Sequence, residues 1–259
     1  MVNFIENFPA FLLILVRVTS FFLMMPLFSY RTVPATFKVG FGFFLALIMY
    51  FSMEAPVFEI NSTYYFLIIK EVLVGIIIGF IAYLIMSAIQ TAGGFIDFQM
   101  GFGMVNVMDP QTGAQSPIMG QYLYIISLFF LLSVNGHHLI LDGIYYSYQF
   151  IPIDQVWLPL GNENVIEYVI QTFNSMFMIA LQMSLPVVSS LFLVDVALGI
   201  AARTFPQLNI FVVGIPLKIG VSYIILIVVM STMIFVVSGL FETMLLTMRG
   251  LMDLLGGLS

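Results

Sequence analysis

Residues 64–89, YYFLIIKEVLVGIIIGFIAYLIMSAI, decide the fold. Lys70 and Glu71 near the start are the only charges in this run. A helix crosses the hydrocarbon core of a bilayer with about 20 mostly apolar residues. The run therefore predicts a membrane-spanning helix. Five more segments approach or reach that length: residues 8–28, 39–53, 118–134, 173–194 and 210–237. The segment 39–53 is short for a span and suits half-insertion or burial in protein. The expected fold is all-α, a polytopic membrane protein of about six long, kinked apolar helices. No short internal repeat, charge run or Ser/Pro linker divides the chain, so residues 1–259 are read as a single membrane domain.

Composition supports this. Hydrophobic residues make up 61% of the 259 and charged residues 8%, and the mean hydropathy is +1.12. A soluble domain carries roughly 25% charged residues, and this chain could not cover itself in water with so few. Lipid or a large partner surface must take up the remainder. The net charge of −6 and the absence of a basic cluster argue against nucleic acid. Cysteine is absent, which excludes disulfides and thiolate metal sites. Residues 1–22 lack a basic leader and a small-residue cleavage site, so they are expected to stay as a first helix. Arg31 and Lys38 fall in the first connection and Arg203 in the fifth, which weakly orients the odd connections to the cytoplasm.

Several charges lie inside or beside apolar runs: Arg17, Glu71, Asp195, Lys218 and Glu242. Each costs at least ~2.5 kcal/mol at a bilayer centre unless it is paired or faces a polar cavity. Structural pairs are the plainer reading, and an ion or proton path the sharper one. Lys70, just ahead of a long apolar run, is read as snorkelling to a helix end. Gly75 and Gly79 form a GxxxG spacing that would let another helix pack closely. Pro26, Pro186 and Pro216 fall near or inside spans and favour kinks. The adjacent His137 and His138 have Asp142 as their one close carboxylate, so hydrogen bonding at a helix end is preferred over a metal site. No nucleotide-binding or hydrolase motif is present. No cofactor, metal or catalytic residue is expected.

Two connections are long. Residues 135–172 hold four acids and no Lys or Arg, and the stretch QFIPIDQVWLPLGN (149–162) reads as irregular. Residues 90–117 hold five glycines, two prolines and large apolar side chains. Met100, Met104 and Met108 recur every fourth residue, as a flexible apolar stripe would on a helix. Gly101 and Gly103 oppose helix there by about 1 kcal/mol each relative to Ala, and Asp109-Pro110 favours a turn. Taken alone the segment reads most simply as a re-entrant loop packed in protein. It could also plug or line a pore, because methionine adapts to irregular gaps.

In their order, these residues resemble the FliR family of export-gate subunits, with its SpaR, YscT and HrcT relatives in injectisomes. The resemblance rests on Arg17, Pro26-Leu27, Pro34 and Lys38, then Glu71, Gly75 and Gly79-Phe80. The strongest block is Ala92-Gly93, Asp97, Gln99-Met100-Gly101 and Asp109-Pro110. Asn135-Gly136-His137-His138 and Ile151-Pro152 follow. Leu185-Pro186, Asp195, Leu198-Gly199, Arg203, Pro206-Gln207, Asn209, Phe211 and Pro216 complete it.

The resemblance implies a non-enzymatic core subunit of the flagellar type III export gate in the bacterial cytoplasmic membrane. Homologues of FliP and FliQ would assemble with it, FlhB and FlhA would be further partners, and unfolded flagellar proteins would pass through. It also implies that Met100, Gly101, Phe102, Gly103, Asp109 and Pro110 belong to a plug that closes the resting channel. Met104, Val105 and Met108 join them for their adaptable bulk. Arg17, Glu71, Asp195, Arg203 and Lys218 are expected as structural charges, and Gly75 and Gly79 as a packing face. An injectisome subunit, an ion-coupled small-molecule transporter and a histidine-dependent hydrolase are the alternatives.

Overall fold

A computed structural model describes residues 7–28, 33–53, 56–102, 117–205, 207 and 209–257. Among them every regular element is helical. In chain order these are α1 (Phe8–Met24), α2 (Ala35–Ser52), α3 (Ser62–Met100), α4 (Ile118–Ser133), α5 (Gly136–Phe150), α6 (Glu163–Thr204) and α7 (Ile210–Gly256). The apolar runs account for most of this, but three helices outgrow them. α3, α6 and α7 have 39, 42 and 47 residues. A 39-residue helix is about 58 Å long at 1.5 Å per residue, nearly twice a hydrocarbon core of about 30 Å. α1, with 17 residues, falls short of that thickness.

Length and hydropathy together make α2, α3, α6 and residues 212–256 of α7 candidate spans. A fifth arises if α4 and α5 count as one broken span. The break between them is local: Asn135 adopts a left-handed φ of 57°, a conformation Asn tolerates better than most residues. α5 lies within the long acidic connection, of which residues 151–162 do form the irregular part. Pro186 lies inside α6 and Pro216 inside α7.

The chain divides into two compact units. The first comprises Met1–Ile85, Asn135–Phe173 and Glu242–Ser259, and the second Met86–Val134 and Asn174–Phe241. α3, α6 and α7 each contribute residues to both. In the first unit α1 is the core element, with Leu13, Ile14, Val18, Phe21 and Phe22 fully buried. Its aromatic rings meet α2: Phe11 sits 5.5 Å from Phe43 and Phe22 sits 5.3 Å from Phe41, centroid to centroid.

α3 packs on the other side of α1 through small residues. A Cβ built on Gly75 would collide with Ser20 and the Arg17 carbonyl, and one on Gly79 would approach the Phe21 carbonyl to 2.8 Å. Side chains are excluded there by backbone from the neighbouring helix, the close approach that small residues permit. In the second unit the same device recurs where Gly93 of α3 meets Gly120 of α4.

Gly75→Ala or Gly93→Ala is therefore expected to destabilise the detergent-purified chain by about 1–3 kcal/mol, the usual range for overpacking. Gly199→Ala in α6 serves as the control, since nothing lies within 4 Å of its added methyl. Thermal unfolding of the three variants against the parent would measure the contrast.

Candidate functional site

Polar chemistry concentrates at two places. The first is a buried ion cluster in the first unit. Arg17 of α1 and Glu71 of α3 are both fully buried, and Lys70 is 3% exposed. The Arg17 guanidinium donates through Nε and Nη2 to the two Glu71 carboxylate oxygens, the latter at 2.9 Å. Nη1 donates to Ser147 Oγ at 3.0 Å, and Nη2 also donates to the Ile151 carbonyl at 3.0 Å. Ser147 Oγ itself donates to the Ile144 carbonyl, which leaves its lone pairs for Arg17. The Tyr148 ring closes the other face, with its centroid 3.8 Å from Arg17 Cζ. A planar fork stacked on a ring and bonded at its edge is what arginine supplies and lysine cannot.

Lys70 joins the same carboxylate and donates to the Pro152 and Ile153 carbonyls at 3.0 and 3.1 Å. This corrects the snorkelling expectation: the ammonium turns inward. The reason is electrostatic. Residues 151–153 follow directly on the C-terminal, negative end of α5. Two cations against one carboxylate leave a positive excess, and those carbonyls take it up.

The second place is the last turn of α3. Asp97, 5% exposed, accepts the Met119 backbone N–H with both carboxylate oxygens, at 3.0 and 3.2 Å. The N-cap of α4 is Pro117, which supplies no side-chain cap. Asp97 thus caps α4 from a different helix and places its charge at the positive end. Two residues on, Gln99 Nε2 donates to Asp195 Oδ2 of α6 at 2.8 Å. Lys218 of α7 pairs with Asp195 Oδ1 and reaches the Gln99 carbonyl at 3.4 Å. That carbonyl is among the last of α3, which lack partners inside the helix. α3 then stops at Met100, and Gly101 turns with a φ of +94°, accessible to glycine at little strain.

Met100 is fully buried, while Gly101 and Phe102 are half-buried. Gly103, Met104, Val105, Met108, Asp109 and Pro110 lie outside the described residues. Asp195 meets Lys218 and not Arg203, which is exposed in the final turn of α6, where a cation suits the helix dipole. His137 and His138 lie against each other with ring centroids 4.1 Å apart, at the start of α5. His137 Nδ1 is buried without a hydrogen-bond partner. Among the described residues no three His, Asp or Glu side chains converge as metal ligands would.

Sequence reasoning did not single out Ser147 or Tyr148 as partners of Arg17. They lie 130 residues away in a segment read as connection, and no local spacing points to them. Asp97 and Gln99 did carry a signal, as polar residues two apart in an apolar stretch just before the glycines.

These features define a class: a polytopic helical membrane protein whose internal charges are neutralised by one another and by backbone carbonyls. The chain belongs to the family described as bacterial export proteins, family 1, which matches residues 8–244. It is 55% identical over 255 residues to the flagellar biosynthetic protein FliR of Bacillus subtilis (strain 168), covering 98% of both chains. The FliR of Escherichia coli (strain K12) is 29% identical over 80% of this chain and 79% of its own. The Yop proteins translocation protein T of Yersinia pestis is 27% identical over 85% of each.

The ion cluster yields an ordered prediction. Breaking a buried pair typically costs 3–5 kcal/mol, because the remaining charge is stranded. Glu71→Ala strands two cations and should fall at the top of that range or abolish folding. Lys70→Met leaves the Arg17–Glu71 fork whole and should be the milder lesion. Denaturant titration in mixed micelles would rank them, and equal losses would contradict the cluster.

Proposed function

We propose that this chain is a core membrane subunit of the flagellar type III protein export gate and forms part of the channel through which unfolded flagellar proteins leave the cell. The observation that carries this reading is the 55% identity to a flagellar FliR over 98% of both chains. The relative named for Yop translocation matches at 27%, so the flagellar assignment is favoured over an injectisome. Lys70, Glu71, Asp195 and Lys218 of the candidate spans are held in internal pairs, whereas an ion-coupled transport path needs such groups free.

The chain acts without catalysis, in the cytoplasmic membrane at the base of the flagellum. FliP and FliQ homologues surround it and bury much of its exposed apolar surface, with FlhB and FlhA homologues as further neighbours. Support comes from α6, whose most apolar 18-residue window is 11% buried by the chain itself. Residues 100–110 act as a plug in the resting gate. In support, their stem leaves α3 at a polar junction shared with α6 and α7, and the chain returns to α3 at Met119.

Two experiments test this. Expression of the chain in a Bacillus subtilis strain lacking its own FliR should restore swimming, and failure despite normal accumulation in the membrane would count against the flagellar reading. Removal of residues 103–113 should raise ion leak across the membrane and disturb flagellin secretion. Unchanged leak together with unchanged secretion would remove the plug assignment.

A further inference from the structure

We infer that the groove between α5 and the end of α7 receives a helix of a neighbouring gate subunit, one that carries a Lys or Arg to meet Asp142 and an Asp or Glu to meet Arg249. The inference rests on the reading of this chain as part of a multi-subunit export gate, and names the surface and the chemistry of one contact in it.

The groove lies wholly within the first unit and has a volume of about 350 Å³. α5 lines it with Leu139, Asp142 and Tyr146, and α7 with Leu245, Arg249 and Met252. Steps of three and four residues put each set on one face of its helix. The two helices lie side by side and run in the same direction. A Cβ built on Gly143 would stand 3.3 Å from Met248 Cε, and one on Gly256 would run into the Phe150 carbonyl. Residue 143 therefore lies beside 248, and residue 150 beside 256. Two helices aligned in this way leave a furrow between their side-chain rows, and the ridge of a third helix fits it.

The charges of the groove say what that helix must carry. Asp142 and Arg249 are both exposed. Neither takes part in an ion pair among the described residues, although Asp253 lies one turn beyond Arg249. The Arg249 guanidinium lies 5.9 Å from the Phe150 ring centroid, at the C-terminal end of α5. Asp142 stands eight residues earlier on that helix, about 12 Å away along its axis at 1.5 Å per residue. The groove thus has a negative end and a positive end, about two turns apart. Hydrocarbon tails offer neither charge a partner. A phospholipid headgroup carries its opposite charges only a few atoms apart, so it reaches one end of the groove and not both. A helix with a base and an acid two turns apart on one face reaches both, while its apolar side chains cover Leu139, Tyr146 and Leu245. Charges paired at the two ends also fix the register and direction of that helix, which apolar contact leaves open.

The test uses the full chain, expressed with the complete export apparatus. Asp142→Lys and Arg249→Glu should each lower co-purification of the FliP and FliQ homologues about fivefold, the worth of one partly exposed ion pair. Asp142→Asn and Arg249→Gln should fall between those reversals and the parent. Both reversals combined in one chain should recover nothing, because the charges of the partner have not changed. A photoreactive benzophenone side chain in place of Tyr146 should crosslink to a FliP or FliQ homologue, at a helix with an acid and a base about two turns apart.

Unchanged co-purification in both single reversals would overturn the inference. Recovery in the combined reversal would overturn it too, because Asp142 and Arg249 would then be acting on each other. So would crosslinks confined to lipid or to a second copy of this chain. Losses matched by earlier thermal unfolding of the purified variants would assign the two charges to the fold and not to a partner. If the parent chain brings down neither homologue, the gate reading falls and takes this inference with it. If parent and variants assemble equally, the gate reading stands and only the groove assignment is lost.

Discussion

A fully buried carboxylate that serves two cations is the constraint on which the rest of this structure depends. Glu71 lies in the run that most strongly marks a membrane span, where an isolated charge is expensive. Its presence forces Arg17 to face it from α1, and Arg17 in turn holds Ser147, the Tyr148 ring and the carbonyl after α5. Lys70 holds the next two carbonyls. One ion cluster therefore fixes the register of two helices and the exit of a third. Gly75 and Gly79, one and two turns along α3 from Glu71, then let the α1 backbone come close. Apolar packing alone would specify none of this, because in a chain this hydrophobic most sliding arrangements bury similar surfaces.

The long helices make the same point on a larger scale. α6 and α7 expose side chains such as Phe192, Leu193, Ile227, Val228 and Phe235 at more than half of their full surface. The lengths of α3, α6 and α7 also exceed one hydrocarbon thickness. Lipid alone is a poor match to helices of that length. In the proposed gate, other subunits would cover those apolar faces. High hydropathy here records how little of its apolar surface the chain can bury by itself.

The sequence was most legible where physics is local. Runs of apolar residues marked α1, α2, α4 and the central parts of α3, α6 and α7. Proline and glycine marked the irregular stretch after α5 and the end of α3 at Gly101. α5 was hidden because GHHLILDGIYYSYQF is too polar to read as a span. The extra turns of α3, α6 and α7 were missed because polar residues continue a helix at small expense once packing has begun it. Charge pairing was legible only in kind. Arg17 and Glu71 were expected to find partners, but Lys70 turned inward toward carbonyls supplied 82 and 83 residues later. Asp195 found Lys218 from α7, a partner that the sequence had left open. Partner identity depends on tertiary placement, which spacing along one helix does not encode.

α3 carries both polar sites, one near each end, and they differ in the property that decides their use. The cluster at Lys70 and Glu71 is closed to water, so breaking it strands charge and the arrangement is effectively permanent. The junction at Gln99 is partly open, with the Asp195 and Lys218 side chains 37% and 19% exposed. Hydrophobic contacts cannot provide that distinction in a membrane protein, since lipid and protein faces are nearly equivalent partners for an apolar side chain. A chain with 8% charged residues has few polar groups to spend. They fall at two places along α3, one closed to water and the other reached by it in part.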